Sequence, residues 1–364
     1  MKQSRLHFVD GLRGVAALVV AVGHIIGMVP PDHPVAPIWR ADLEHLLLWP
    51  WLFGKPMVSL FIMLSGFTLY WSEESRVANR RSPSTLRDYW WRRLWRIAPT
   101  YYLSFAFGLL VTLGLTRSLV KPSPSLDTST PVTLGGLLAH LGFVHNLSRD
   151  WIYQANPPLW SIAVEIQLYL LLPVIFMLTR RFSIYAIAPA MVVAVYGLNQ
   201  AVNIPVFSLI EHFLVGAIVA HVLRRNTVNP RPALTVAVTA IILGLLRIPF
   251  LSGRPDQLVW LVGFAALIVG LYGVRTDRWN PLTRPTVLWI GARSYSLYAV
   301  HFPIALLTWA AISRTGWERP FLLVTEIATG TCLSILAAAV AYRFIEKPAL
   351  LKSRSGWPVP VGTR

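Results

Sequence analysis

The stretch Phe8-Val9-Asp10-Gly11-Leu12-Arg13 opens an apolar segment that runs on to Gly23-His24, and the interpretation of the chain starts here. Ten residues separate Arg13 from His24, so in a helix the two lie on one face, about 16 Å apart along the axis. A titratable group inside an apolar, membrane-type segment is costly and marks a functional site by default. Asp10, one turn before Arg13, is its expected partner. The alternative is a polar flank at Arg13 and a packed, hydrogen-bonded His24.

The composition indicates an integral membrane protein. Of 364 residues, 55% are hydrophobic and only 13% charged, and the mean hydropathy is +0.54. A soluble domain carries about 25% charged residues. The single cysteine, Cys332, excludes a disulfide framework and a cysteine-ligated metal site, and we predict no metal.

Apolar stretches long enough to span a membrane recur along the chain, which predicts an all-α, polytopic fold with about ten transmembrane helices. They are roughly 7–28, 54–72, 97–116, 158–178, 183–199, 206–223, 232–249, 257–274, 290–312 and 321–345. The run 134–144 is too short to span and is expected in the membrane interface. We expect a transmembrane domain over 1–348 and a short basic cytoplasmic tail over 349–364.

The positive charges are distributed unevenly between the two sets of loops. The termini and the loops on their side carry 21 Lys and Arg, whereas the alternating loops carry 7. Because positively charged loops stay in the cytoplasm, this predicts two cytoplasmic termini in a cell membrane, which we expect to be the bacterial plasma membrane. The same asymmetry accounts for the net charge of +17 without a nucleic-acid partner.

The predicted orientation gives each polar residue a depth. His24 lies in the outer half of the first segment, and Glu165 lies in the outer half of the fourth. The two could meet, and a carboxylate beside an imidazole fixes its tautomer and raises its basicity. The alternative for Glu165 is a salt bridge that holds helices together.

A cluster of arginines precedes the third segment on the cytoplasmic side: Arg87, Arg92, Arg93 and Arg96. Arg92 and Arg96 share a helix face and Arg93 is offset. Anchoring by positive charge alone would produce such a cluster. However, every member is an arginine, whose fork matches phosphate oxygens in pairs. With Arg13 they outline a site for a phosphorylated ligand.

Three other positions have both a structural and a functional interpretation. Ser65 precedes Gly66, where a helix can pack closely or a slender ligand can pass. His301 is either a second site residue or a hydrogen-bonded structural histidine. Glu346 is expected to form a structural ion pair with Lys347.

Six blocks, in order and over nearly the whole chain, resemble the membrane-bound acyltransferase 3 family, whose members O-acylate surface glycans, lipids and some secondary metabolites. The blocks are Phe8-Val9-Asp10-Gly11-Leu12-Arg13 with His24, Leu60-Phe61-Ile62-Met63-Leu64-Ser65-Gly66-Phe67, Arg92-Arg93-Leu94-Trp95-Arg96, Trp160-Ser161 with Glu165, Tyr169 and Pro173, Ser294-Tyr295-Ser296-Leu297-Tyr298 with His301, and Phe344-Ile345-Glu346-Lys347-Pro348. The chain departs from the family pattern at Ser59, Ile62 and Ile166.

The resemblance implies transfer of an acyl group, usually acetyl, from acyl-CoA to a hydroxyl, with no permanently bound cofactor. His24 would be the catalytic residue, as general base or acyl carrier, with Glu165 as its partner. The coenzyme would bind Arg13, Arg92, Arg93 and Arg96. Further candidate site residues are Asp10, Ser65, Trp160, Ser161, Tyr169, Tyr298 and His301.

The expected partners are membrane lipids, acyl-CoA and a glycan, glycolipid or macrolide acceptor. Two other classes are alternatives, and the first, a transporter or flippase, would also place charges within its spans. A transporter or flippase of lipid-linked sugars would show inverted repeats and broken helices, and we find neither in the sequence. A glycan ligase or polymerase should carry a large outer loop, whereas the largest here is about forty residues, 117–157.

Overall fold

The computed structural model describes residues 6–29, 53–79, 85–115, 128–202, 207–246, 254–274 and 280–354, and its regular elements in these ranges are all helices. The α-helices are α1 His7–Ile26, α2 Gly54–Ala78, α3 Leu86–Leu115, α4 Leu134–Leu141, α5 Leu159–Arg181, α6 Ile184–Val202, α7 Phe207–Arg225, α8 Pro230–Leu246, α9 Arg254–Gly273, α10 Pro285–Ala292, α11 Ser294–Ile312, α12 Arg319–Ala341 and α13 Lys347–Arg354. Short 3₁₀ turns cover His145–Leu147 and Pro281–Thr283, and a π-helical turn covers Tyr342–Glu346.

A helix lies on each of the ten predicted segments, so the all-α, multi-pass fold class is confirmed. Within the described ranges, six helices are long and apolar enough to cross a membrane: α1, α3, α5, α9, α11 and α12. The count of ten spans and the cytoplasmic termini stay predictions. The predicted boundary at residue 348 falls inside α13, and residues 355–364 of the predicted tail lie outside the described ranges.

The short apolar run predicted to lie in the interface forms α4. Thr133 caps it, because its side chain accepts a hydrogen bond from the backbone N–H of Gly136. Leu134, Leu138 and Leu141 are exposed on one side, by 71%, 60% and 52%. The opposite side of α4 is buried. The position of α4 in the membrane interface stays a prediction.

The chain divides into two compact units, each described by itself. Of the described residues, the first contains 6–26, 53–74 and those between 174 and 294, and the second contains 27–29, those between 75 and 173, and 295–354.

In the first unit, α2 and α7 approach so closely that only glycine fits at the contact. A Cβ at Gly66 would lie 2.1 Å from the carbonyl oxygen of Phe213, and one at Gly216 would lie 2.1 Å from that of Met63. The interpretation of Gly66 as a packing residue is therefore confirmed. The contact holds the part of α2 that carries Ser65, which is buried.

In the second unit, α3 packs against α13 and against α11. Trp91 donates its ring N–H to the carbonyl of Lys352 at 3.3 Å, and the Lys352 ammonium lies 4.3 Å from the centroid of Trp95. Tyr295 donates its hydroxyl to the carbonyl of Ile97 at 2.8 Å. These contacts position the arginine-rich start of α3.

Candidate active site

His24 lies near the end of α1 and contacts its own helix. Its Nδ1 is 3.0 Å from the carbonyl oxygen of Val20, one turn earlier. Because a carbonyl oxygen only accepts, Nδ1 carries the hydrogen in this contact, and in the neutral ring Nε2 keeps the lone pair. An imidazole held in this tautomer is suited to take a proton, or to attack a carbonyl carbon, through Nε2.

Arg13 lies in the same helix and is anchored to α2. Its Nη2 donates to the hydroxyl of Thr68 at 3.1 Å, and that hydroxyl donates in turn to the carbonyl of Leu64 at 2.8 Å. Thr68 thus orients the guanidinium through a hydroxyl whose own hydrogen is already engaged. The sequence analysis did not identify Thr68.

The start of α1 is held close to α10 by glycines. A Cβ at Gly291 would lie 2.1 Å from the carbonyl oxygen of Asp10, and a Cβ at Gly14 would lie 2.8 Å from the backbone nitrogen of Gly291. Any side chain at either position would push α1 away from α10. The pairing of the Asp10 carboxylate with Arg13 stays a prediction.

In the second unit, Glu165 lies in a cluster with an arginine and two tyrosines. The hydroxyl of Tyr169 donates to Glu165 Oε1 at 2.5 Å. The Arg93 guanidinium carbon lies 5.7 Å from the ring centroids of both Tyr89 and Tyr169, within the range of cation–π attraction. Tyr89 also donates its hydroxyl to the carbonyl of Tyr169 at 3.0 Å. The predicted site residues Arg93, Glu165 and Tyr169 are therefore neighbours.

Arg96 interacts electrostatically with two carboxylates, those of Glu346 and Glu165. Glu346 belongs to the π-helical turn and accepts from the backbone N–H of Ser296 at 3.2 Å and from its hydroxyl at 2.5 Å. The predicted ion pair of Glu346 with Lys347 stays a prediction. π-Helical turns often occur at functional sites.

Ser161 and Tyr298 join α5 to α11. Their hydroxyl oxygens are 2.6 Å apart, and the Pro158 carbonyl accepts from Ser161 at 3.2 Å and from Tyr298 at 3.3 Å. His301 is buried, and its Nδ1 lies 3.2 Å from the carbonyl oxygen of Leu297. The hydrogen bond expected of a structural His301 is therefore present.

The predicted residues thus form two groups. Arg13, His24 and Ser65 lie in the first unit, while Arg93, Arg96, Glu165, Tyr169, Ser161, Tyr298 and His301 lie in the second. Arg92 and Trp160, both half-buried, also belong to the second unit. The predicted meeting of His24 with Glu165 stays a prediction.

A buried carboxyl group in α12 was not among the predicted site residues. Glu326 is fully buried and accepts a hydrogen bond from the hydroxyl of Thr308 at 2.7 Å. The available signal was a glutamate within an apolar segment, which is rarely placed there without a role.

Two histidines near α4 were likewise not predicted. The rings of His140 and His145 are stacked, with centroids 3.7 Å apart and planes inclined by 11°. Both are buried.

The order and spacing of these motifs can be compared with known proteins. The acyltransferase 3 family model, described as an acyltransferase domain, matches residues 6–343. The chain belongs to the acyltransferase 3 family. The resemblance inferred from the six blocks is thereby confirmed over most of the length of this chain.

Among its relatives is the O-acetyltransferase OatA of Staphylococcus aureus, 26% identical over 334 residues, which cover 82% of this chain and 53% of OatA. Nodulation protein 10 of Rhizobium leguminosarum bv. viciae is 24% identical, with 94% of this chain and 92% of that protein covered. The acyltransferase MdmB of Streptomyces mycarofaciens is 24% identical, with 95% and 92% covered. The chain thus spans about half the length of OatA. No solved structure matches.

Proposed function

We propose that this acyltransferase moves an acyl group, in the first instance acetyl, from cytoplasmic acyl-CoA to a hydroxyl group on the outer side of the bacterial plasma membrane. The acceptor would be a surface glycan, a glycolipid or a macrolide. Family membership supports acyl transfer as the reaction type. The name of OatA as an O-acetyltransferase supports acetyl as the transferred group and a hydroxyl oxygen as the accepting atom.

The match of the acyltransferase 3 family model to residues 6–343 carries the proposal, and the bond between His24 and the Val20 carbonyl is compatible with the role proposed for His24. This bond holds Nδ1 as a donor, so Nε2 is the basic nitrogen of a neutral ring. A general base must present such a lone pair to the proton that it removes.

In the direct route, Nε2 of His24 takes the proton of the acceptor hydroxyl while the hydroxyl oxygen attacks the thioester carbonyl carbon. The new C–O bond forms and the C–S bond breaks. The leaving thiolate takes the proton from the imidazolium, which restores neutral His24 and releases free coenzyme A. In the covalent route, Nε2 attacks the thioester carbonyl carbon, so a C–N bond forms, the C–S bond breaks and the coenzyme A thiolate leaves. The acceptor oxygen then attacks the acyl carbon and its proton passes to the thiolate, while the C–N bond breaks and the ring returns to its neutral form.

The arginines would bind the coenzyme. Arg13 is fixed by Thr68 in the helix that carries His24 and lies about three turns towards the cytoplasm, where the phosphate end of acyl-CoA would enter. Arg92, Arg93 and Arg96 would add positive charge at that side. Because Arg96 interacts with Glu165 and Glu346, we expect it to contribute less to binding than Arg13 does.

Glu165 would act as the partner of His24 and stabilise the imidazolium that forms during transfer. Tyr169 holds one oxygen of this carboxylate at 2.5 Å, which would limit the orientations it can adopt. Membership of an acyltransferase family weighs against the alternative of a transporter or flippase.

The test compares cells that lack the protein with cells that carry the unaltered chain or His24→Ala at equal levels. Mass spectrometry of surface glycans, glycolipids and exported metabolites should show O-acetyl esters only with the unaltered chain. The same ester pattern in all three strains would contradict the proposal.

A further inference from the structure

An arginine near the end of α7 lies on an aromatic platform built by two other helices. The guanidinium carbon of Arg224 is 4.9 Å from the ring centroid of Trp71 in α2. Tyr272 of α9 packs edge-on against Trp71, with centroids 5.4 Å apart and planes at 65°. Phe67, one turn earlier in α2, stacks on it at 5.7 Å. All of these residues belong to the first unit.

Arg224 and its neighbour Arg225 differ in whether a carboxylate lies near the guanidinium. Arg225 Nη2 lies 3.7 Å from Glu74 Oε1, and its side chain is 65% exposed. Arg224 is half-buried, and among the described residues its guanidinium has no carboxylate or hydrogen-bond acceptor. Attraction to a ring face orients a guanidinium and leaves its N–H groups for an anion.

The platform lies next to the anchor of Arg13. Thr68, which accepts from Arg13 at 3.1 Å, is three residues before Trp71 in α2. Side chains three apart in a helix are neighbours, and their axial separation is about 4.5 Å. Arg13 and Arg224 thus contact neighbouring residues of α2, Thr68 and Trp71 respectively. The charge distribution predicts that the C-terminal end of α2 is cytoplasmic, and Trp71 is nearer to this end than Thr68 is.

We propose that Arg224, oriented by Trp71, binds the phosphate groups of acyl-CoA together with Arg13. This rests on the proposed function, in which acyl-CoA is the donor. Arg13 would lie at the pantetheine side of the diphosphate, and Arg224 would receive the phosphate oxygens nearer the cytoplasm. Two guanidiniums suit such a ligand, since each donates paired N–H groups to oxygens of one phosphate. A lipid headgroup offers the same phosphate chemistry, so the test separates the two sources.

The matched pair of variants is Arg224→Ala and Arg225→Ala, which remove the same charge from adjacent positions. Coenzyme A and pantetheine are titrated by calorimetry into each protein in nanodiscs of neutral lipid. We expect Arg224→Ala to weaken coenzyme A binding at least about tenfold, the scale of lost hydrogen bonds to a charged group. Arg225→Ala should stay within about twofold, and pantetheine should bind all three proteins equally.

Two further comparisons make the result specific. Trp71→Leu keeps Arg224 but removes its platform, and should weaken coenzyme A binding about threefold or more. Discs that contain phosphatidylglycerol test the lipid source. If an anionic lipid lowers coenzyme A affinity in the unaltered chain and Arg224→Ala only removes this competition, the residue binds lipid and the inference is overturned.

Equal losses of coenzyme A affinity in Arg224→Ala and Arg225→Ala would indicate a general effect of charge and would overturn the inference. Unchanged coenzyme A binding in Arg224→Ala would overturn it as well. If the unaltered chain binds no coenzyme A in neutral discs, the proposed donor fails and the inference fails with it. Circular dichroism and size-exclusion chromatography establish that each variant is folded.

Discussion

His24 donates from Nδ1 to the carbonyl of Val20, 3.0 Å away in the same helix. Both groups of this contact belong to α1, so α1 itself supplies an acceptor that favours the hydrogen on Nδ1. Basicity at Nε2 is therefore built into the stretch that also carries Arg13. In the proposed reaction, the group that reaches Nε2 is either the acceptor hydroxyl or the thioester carbonyl carbon.

The first prediction concerns this nitrogen. His24→Ala should lower acyl transfer by about 10²–10⁴, the usual contribution of a general base, and by more if the ring carries the acyl group. The measurement is coenzyme A release in nanodiscs with an acceptor that the unaltered chain modifies. Expression and the chromatographic profile should match those of the unaltered chain. Activity within a few-fold of it would remove His24 from the chemistry.

The second prediction concerns the hydroxyl that holds Glu165. Tyr169→Phe removes the 2.5 Å hydrogen bond to the carboxylate but keeps the ring next to Arg93. If Glu165 supports the imidazolium, Glu165→Gln should lower kcat clearly but less than His24→Ala, and Tyr169→Phe should lower it less again. The KM for acyl-CoA should change little in both. A loss in KM alone would place Glu165 in substrate binding instead.

The sequence was sufficient to predict the positions of the long helices and the common face of Arg13 and His24 in α1. Within the described ranges, apolar length predicted where the long helices lie, because an apolar segment that crosses a membrane must satisfy its own backbone polar groups. The spacing of Arg13 and His24 predicted their common face. These are local properties, which depend only on residues within one segment.

Contacts between segments could not be predicted in the same way. No local period links Trp71 to Arg224, or Arg96 to Glu346, since such pairs depend on how separate helices pack. The hydrogen bond between His24 and the Val20 carbonyl could not be predicted for another reason. Whether a histidine bonds to the preceding turn of its own helix depends on its side-chain rotamer, which a sequence pattern does not give.

The third prediction concerns acid. Burial lowers the pKa of His140 from 6.5 to about 4, and burial together with the charge of His140 lowers the pKa of His145. The Tyr101 hydroxyl donates to the carbonyl of His140 at 2.9 Å and lies 3.5 Å from Nδ1 of His145. Both imidazoles are therefore neutral in the folded protein at neutral pH.

The sign of the effect follows from proton uptake. Between pH 6.5 and 4 the unfolded chain binds a proton at His140 that the folded chain does not, so stability is present above pH 6.5 and is lost as the pH falls towards 4. His140 alone accounts for about 3 kcal/mol of that loss. His145→Phe keeps an aromatic ring, and its thermal midpoint should fall less steeply with acid than that of the unaltered chain. Parallel curves would show that these histidines do not control acid stability.

The fourth prediction concerns topology. In a Cys332→Ser background, a cysteine is placed at Arg149, which is exposed in the segment before α5, or at Ser355, beyond α13. A membrane-impermeant maleimide should label Arg149→Cys in intact cells and Ser355→Cys only after permeabilisation. Labelling of both positions from one side would contradict the ten-span topology with cytoplasmic termini.

The last prediction separates binding from chemistry. Arg13 lies about three turns from His24 along α1, too far to touch the same reacting carbonyl. Arg13→Lys keeps the positive charge but loses the planar fork that donates to Thr68 and, in our proposal, to phosphate oxygens. The KM for acyl-CoA should therefore rise while kcat changes less, the result expected when an interaction is equally strong in the bound substrate and in the transition state. The measurement is a steady-state titration of acyl-CoA in nanodiscs, with His24→Ala as the comparison. If Arg13→Lys lowers kcat as far as His24→Ala does at unchanged KM, Arg13 takes part in the chemical step.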